Sequence, residues 1–140
     1  MAVDVVHVVL HLLDRMWRNR RALLEDLREV AREVIYACAP IARLLDEREA
    51  AFANAIVRFA ARNDPLLRGF DRDGGGGAEA ALEHLNRLID QATTMEEVHA
   101  VARAIRLFAY ILLVAYRLYI GEELRLLKEA KELPGVLEPF

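Results

Sequence analysis

The fold turns on Val98–Ile120, VHAVARAIRLFAYILLVAYRLYI, in which 19 of 23 residues are apolar. At 100° per residue its exceptions, His99, Arg103, Arg106 and Arg117, fall within a strip about 60° wide. The segment 2–17 behaves alike, with Asp4, His7, His11, Asp14 and Arg15 confined to an arc of about 100°. A surface helix of a monomer needs an apolar stripe only somewhat wider than about 100°. Two helices apolar over most of their circumference exceed what 140 residues can easily wrap. The pattern therefore predicts a homo- or hetero-oligomer whose subunits cover 2–17 and 98–120, with contact to lipid as the lesser alternative.

Outward from that stretch, helical periodicity continues. Val3, Val5, Val6, Val8 and Val9 favour a strand by type, but polar residues at 4, 7, 11, 14 and 18 step by threes and fours, which predicts a helix over about 2–17. Around Arg18–Arg21 the chain either runs on or turns, with Asn19 available to cap a second helix. That helix places Leu23, Leu27, Val30, Val34 and Ala37 on one face and is expected to stop or kink at Ala39, before Pro40. A further helix is expected from Ile41 to about Arg62, with Leu45, Phe52, Ile56 and Phe59 inward. Asn63, Asp64 and Pro65 break the chain, and 71–77, ending in four consecutive glycines, is a loop. Leu82, Leu85, Leu88 and Ile89 define a short helix to about Ala92. Thr94, with Glu97 three residues on, predicts a capping box opening the long final helix, which Gly121 is positioned to bend and Pro134–Gly135 to end. The expected fold is all-α: a four-helix bundle with an additional N-terminal helical arm. Its single domain divides into an arm or hairpin over 1–62, a glycine-rich loop over 63–77, C-terminal helices over 78–133 and a tail over 134–140.

Composition excludes several chemistries. Without serine, and with Thr93 and Thr94 placed as caps, no nucleophile and base pair suggests itself. The lone cysteine, Cys38, sits in an apolar run and reads as a small buried hydrophobe. The glycine loop lacks the lysine and hydroxyl of a phosphate-binding loop. It also has Gly75 and Leu82 where a calcium loop needs oxygen ligands. His7 and His11, one turn apart, have a spacing that can hold zinc, and Glu96 with His99 forms half of the paired Glu-x-x-His set that a di-iron bundle uses. The remaining ligands of either set do not appear, so no metal, cofactor or catalytic residue is expected. The segment 2–17 is not a signal peptide, because Asp4 precedes it and arginines follow. No membrane span is expected either, since the longest uncharged run, 107–116, has about half the roughly twenty residues required. Those features place the protein inside a cell or a virion.

Seventeen arginines against two lysines, with few small polar residues, suit a hot habitat or a GC-rich genome. Charge is uneven: residues 1–62 carry ten arginines and nine acids, whereas 73–140 carry seven basic residues and eleven acids. An anionic partner therefore belongs to the N-terminal half. On a continuous helix Arg15, Arg18, Arg21, Arg28 and Arg32 fall within about 140°, and Arg20 adds to the density. Guanidinium groups so spaced can neutralise nucleic-acid phosphates without reading sequence. The alternative is a solvated face laced with Arg21–Glu25 and Glu29–Arg32 pairs, favoured for 21–33 and less so for Arg15, Arg18, Arg20 and Arg21. Arg103, Arg106 and Arg117 are expected to pair with acids of a neighbouring helix or subunit, and Tyr110, Tyr116 and Tyr119 to serve as core or interface aromatics.

A small all-helical chain of hyperthermophilic composition, with an arginine-bearing N-terminal arm and an apolar C-terminal bundle, resembles the coat proteins of filamentous archaeal viruses. The resemblance spans most of the chain and is one of architecture and composition, so no residue role transfers. It implies a non-enzymatic capsid subunit whose N-terminal helices wrap DNA while the bundles pack into a helical shell. A second resemblance is to the small helical subunits of CRISPR effector complexes, and a third reading is a metal-dependent helix-bundle enzyme.

Overall fold

In a computed structural model, residues 2–60, 64, 66–67 and 77–116 are described. Among them are five α-helices and no strand: α1 (Ala2–Arg18), α2 (Leu24–Leu44), α3 (Glu47–Ala60), α4 (Gly77–Gln91) and α5 (Met95–Tyr116). The protein is therefore all-α, as its periodicity predicts. The expectations for the helix end at Arg62 and the break at Asn63 and Pro65, for 68–76, for 117–133, including Arg117, Tyr119 and the bend at Gly121, and for the tail over 134–140 lie outside the described residues.

Helix α5 forms the centre. It packs against α2, α3 and α4, and α2 in turn packs against α1 and α4. One continuous core joins Val6, Val9, Leu13 and Met16 of α1 to Leu27, Val34 and Ile41 of α2, Leu85 and Ile89 of α4, and Val98, Ile105, Phe108 and Leu112 of α5. Through Tyr116, α2, α3 and α4 of the same chain pack on the apolar circumference of α5. The length argument against a membrane span does not hold for α5. By length and composition α5 does reach what a span requires, but 67% of its apolar window is buried inside the fold, as in the core helix of a globular domain.

Helix boundaries follow local chemistry. Helix α1 stops at Arg18, where both the backbone N–H and the side-chain Nδ2 of Asn19 donate to the Arg15 carbonyl, at 3.0 and 2.8 Å. Asn19 thus closes α1 and does not open α2, whose N-cap position is Leu23. Helix α2 runs through Pro40 to Leu44 and does not end at Ala39. Proline removes the one N–H that would bond the carbonyl four residues back, and here that residue is Tyr36, which is exposed, so water can take the bond. The actual break, at Leu45–Asp46, has its own signal. Asp46 Oδ1 accepts from the Glu49 N–H (2.8 Å) and Glu49 Oε1 from the Asp46 N–H (2.9 Å), a reciprocal box that begins α3. Replacing Asp46 by alanine is expected to cost about 1 kcal/mol of stability, measured by urea unfolding. A loss of no more than a few tenths would mean that packing, not the box, sets the start of α3.

That reset in phase changes which face of α3 is inward. Glu49, Ala53 and Val57 are buried, Phe52 and Ile56 flank them, and Phe59 is 65% exposed. Phe59 lies about 120° round the helix from Ala53, so its expected inward placement fails. Asp64 then organises the next turn, accepting from the Leu66 N–H at 3.0 Å and seating the fully buried Leu67. Gly77, with φ of 61°, enters α4 through the left-handed region that glycine adopts without strain. At the start of α5, Thr94 Oγ1 accepts from the Glu97 N–H at 3.1 Å, as the predicted box requires. The Glu97 carboxylate receives the Thr93 and Thr94 hydroxyls instead of the backbone N–H of Thr94.

Candidate nucleic-acid interface

The six arginines expected to meet phosphate have different surroundings. Arg28 is sunk between helices: it donates to the Ala92 carbonyl, meets Glu25 at 3.2 Å, and its Nε is buried without a partner among the described residues. Arg32 donates from Nε to Asp90 at 2.7 Å. These two side chains tie α2 to α4 and the α4–α5 junction. Arg15 bonds Glu33 of α2 at 2.8 Å, and Arg18 bonds Asp14 at 3.0 Å. The expected pairs Arg21–Glu25 and Glu29–Arg32 are not formed; Arg28 takes Glu25 and Asp90 takes Arg32.

Arg20 and Arg21, in the α1–α2 turn, have no carboxylate partner among the described residues. The Arg20 guanidinium stacks 3.8 Å from the centre of the Trp17 ring and donates to the Trp17 carbonyl at 2.8 Å. Arg21 is exposed, and its side chain makes no hydrogen bond or ion pair among the described residues. Trp17 is the only tryptophan in the chain, and its burial at the end of α1 fixes where the turn leaves the helix.

From the other side α5 reaches the same place. His99 Nε2 lies 2.6 Å from the Arg20 carbonyl, the distance of a hydrogen bond donated by the ring. The guanidinium of Arg106, only 4% exposed, sits 5.3 Å from the Trp17 ring centre. Arg103, between them along α5, is exposed and has no carboxylate partner among the described residues. Among the described residues no acid of a neighbouring helix pairs with Arg103, and for Arg106 the aromatic face of Trp17 is a contact that sequence did not foresee. A cation over a desolvated indole gains up to about 2 kcal/mol, which helps to offset the cost of burying the guanidinium. The signal was present in the strip formed by His99, Arg103 and Arg106, but only a tertiary contact could assign that strip to Trp17.

The other candidate centres stay apart. His7 and His11 are on the exposed side of α1, Glu96 is exposed, and His99 turns toward Arg20. No three His, Cys, Asp or Glu residues among those described converge as metal ligands. Tyr110 is half-buried, and its phenol is pushed up to about 12 mainly by burial, with Arg106 opposing and Asp14 adding. Cys38 is fully buried, and desolvation pushes its thiol up to about 12. An ordinary thiol titrates near 8.5, so stability from keeping Cys38 protonated is complete below that value and declines as pH rises toward 12. At pH 8 a thiol reagent is expected to label Cys38 only in step with unfolding in urea. Full-rate labelling of the native chain would show that α2 opens locally.

No protein-family model matches the chain, and neither does any curated protein or solved structure.

Proposed function

We propose that this chain is a non-catalytic structural subunit of the coat type, holding a nucleic-acid backbone through sequence-independent contacts from arginine to phosphate. In this reading α2–α5 form a four-helix bundle, α1 is the added arm, and the contact lies where α1 turns into α2. The observation that carries the proposal is the division among the six arginines. Four meet a carboxylate of the fold, whereas Arg20, held against the Trp17 ring and carbonyl, and the exposed Arg21 meet none among the described residues. Unneutralised guanidinium groups at a surface favour a polyanion. The sequestered thiol of Cys38 and the Thr93 and Thr94 hydroxyls, both bonded to Glu97, support a non-catalytic role.

Because α5 spends its apolar surface inside the chain, copies in this reading assemble along the nucleic acid and not through 98–116. The test is particle mass and nucleic-acid content of native material, together with binding of a mixed-sequence duplex across a salt series. A filament or large particle containing nucleic acid, and affinity that falls steeply with salt, are expected. A particle of RNA with several different proteins would point instead to a subunit of a ribonucleoprotein effector. A chain free of nucleic acid that does not bind it at low salt would end the proposal.

A further inference from the structure

Two contacts fix how α5 runs past the end of α1. His99 meets the carbonyl of Arg20, and Arg106 lies beside Trp17. Residue numbers rise along α5 as they fall along α1, so the two segments are antiparallel and their basic residues share one seam. Arg103 is one helical turn, about 5.4 Å along the axis, from His99, and hence beside the α1–α2 turn that carries Arg20 and Arg21. Beneath them the Trp17 ring holds both Arg20 and Arg106, whose guanidinium carbons can be no further apart than their two distances to that ring combined, 3.8 and 5.3 Å. The acids nearest in sequence are Asp14, committed to Arg18, Glu25, committed to Arg28, and Glu97, bonded to the Thr93 and Thr94 hydroxyls, with Asp26 and Glu96 exposed.

Resting on the nucleic-acid reading above, we infer that its phosphate site is a two-segment clamp. Arg20 and Arg21 of the α1–α2 turn and Arg103 of α5 hold successive phosphates, and Arg28 and Arg32 take no part. The buried Arg106 is a positioning residue: its fixed charge raises the local potential, and its place beside Trp17 holds α5 against the turn. Trp17 is buried, so no base stacks on it, and the clamp reads backbone charge alone. A site made by residues about eighty positions apart in sequence forms only in the folded chain, and Arg103 belongs to the half of the sequence whose charge argued against it.

The test measures binding of the full chain to a mixed-sequence DNA duplex over a salt series, for wild type, for Arg21→Gln with Arg103→Gln, and for a control pair, Arg43→Gln with Arg48→Gln. The control removes the same charge from exposed positions at the opposite end of α2. Each phosphate contact contributes about 0.9 to the slope of log affinity against log salt on duplex DNA. The Arg21/Arg103 pair is expected to flatten the slope by close to two, the control to leave it as in wild type, and both to retain the wild-type unfolding midpoint, since none of the four side chains has a partner among the described residues to lose. Salt-dependent binding by wild type that the Arg21/Arg103 variant reproduces, or that the control weakens equally, overturns the clamp while leaving the broader reading intact. Absence of duplex binding at low salt, with binding to vesicles of anionic phospholipid, overturns both.

Discussion

A chain carrying Leu112→Asp is expected not to fold. Leu112 is 0% exposed, one turn before Tyr116 on α5, the helix against which α2, α3 and α4 all pack. Truncation alone, Leu112→Ala, is expected to cost about 2–5 kcal/mol through lost transfer energy and the cavity left behind. Aspartate adds the desolvation of a carboxylate with no partner, which even after protonation leaves a buried polar group. A domain of this kind is stable by only about 5–15 kcal/mol, so the two costs together are of the order of the whole. Val114, half-buried two residues on, is the internal comparison, and Val114→Asp is expected to lose much less. Far-UV circular dichroism and urea titration of the three variants decide the matter. A Leu112→Asp chain with wild-type helicity and midpoint would mean that α5 is not the central helix.

The second large effect is expected at Trp17. Its alanine variant is predicted to lose about 3–5 kcal/mol, because the buried indole fills the end of α1 and also faces Arg20 and Arg106. Phenylalanine keeps an aromatic face for both guanidinium groups and most of the packing, so Trp17→Phe is expected to lose less than half as much. As the chain has no other tryptophan, circular dichroism and not tryptophan fluorescence reports the unfolding. Equal losses in the two variants would show that the indole contributes something other than volume and an aromatic face, and would weaken the account of how Arg106 is held.

Helicity and its main punctuation are determined by the sequence alone. Residues recurring at threes and fours put Val6, Val9, Leu13 and Met16 on one side of α1 despite their β-branched neighbours, because burial of an apolar stripe outweighs single-residue preference. The Thr94–Glu97 box is legible because both partners lie within one turn. The Asp46–Glu49 box is equally local, but apolar periodicity across Ile41–Arg62 concealed it, and the phase of α3, with Phe59 outside, followed from that break. Pro40 marks the opposite case, a strong breaker overridden because the single lost hydrogen bond falls beside an exposed residue.

What only the tertiary structure decided is which charges and which apolar surfaces are already used. Periodicity shows that α5 is apolar nearly all round, but it cannot show that three helices of the same chain enclose it. It likewise groups Arg15, Arg18, Arg20, Arg21, Arg28 and Arg32 on one face, without showing that Glu33, Asp14, Ala92 and Asp90 engage four of them. Apart from Asp14, one turn before Arg18 on α1, those partners and the approach of Arg106 to Trp17 come from segments that meet only on folding. Apolar spacing is a property of one helix and can be read along it, whereas the neutralisation of a charge depends on which other helix lies within a few ångströms.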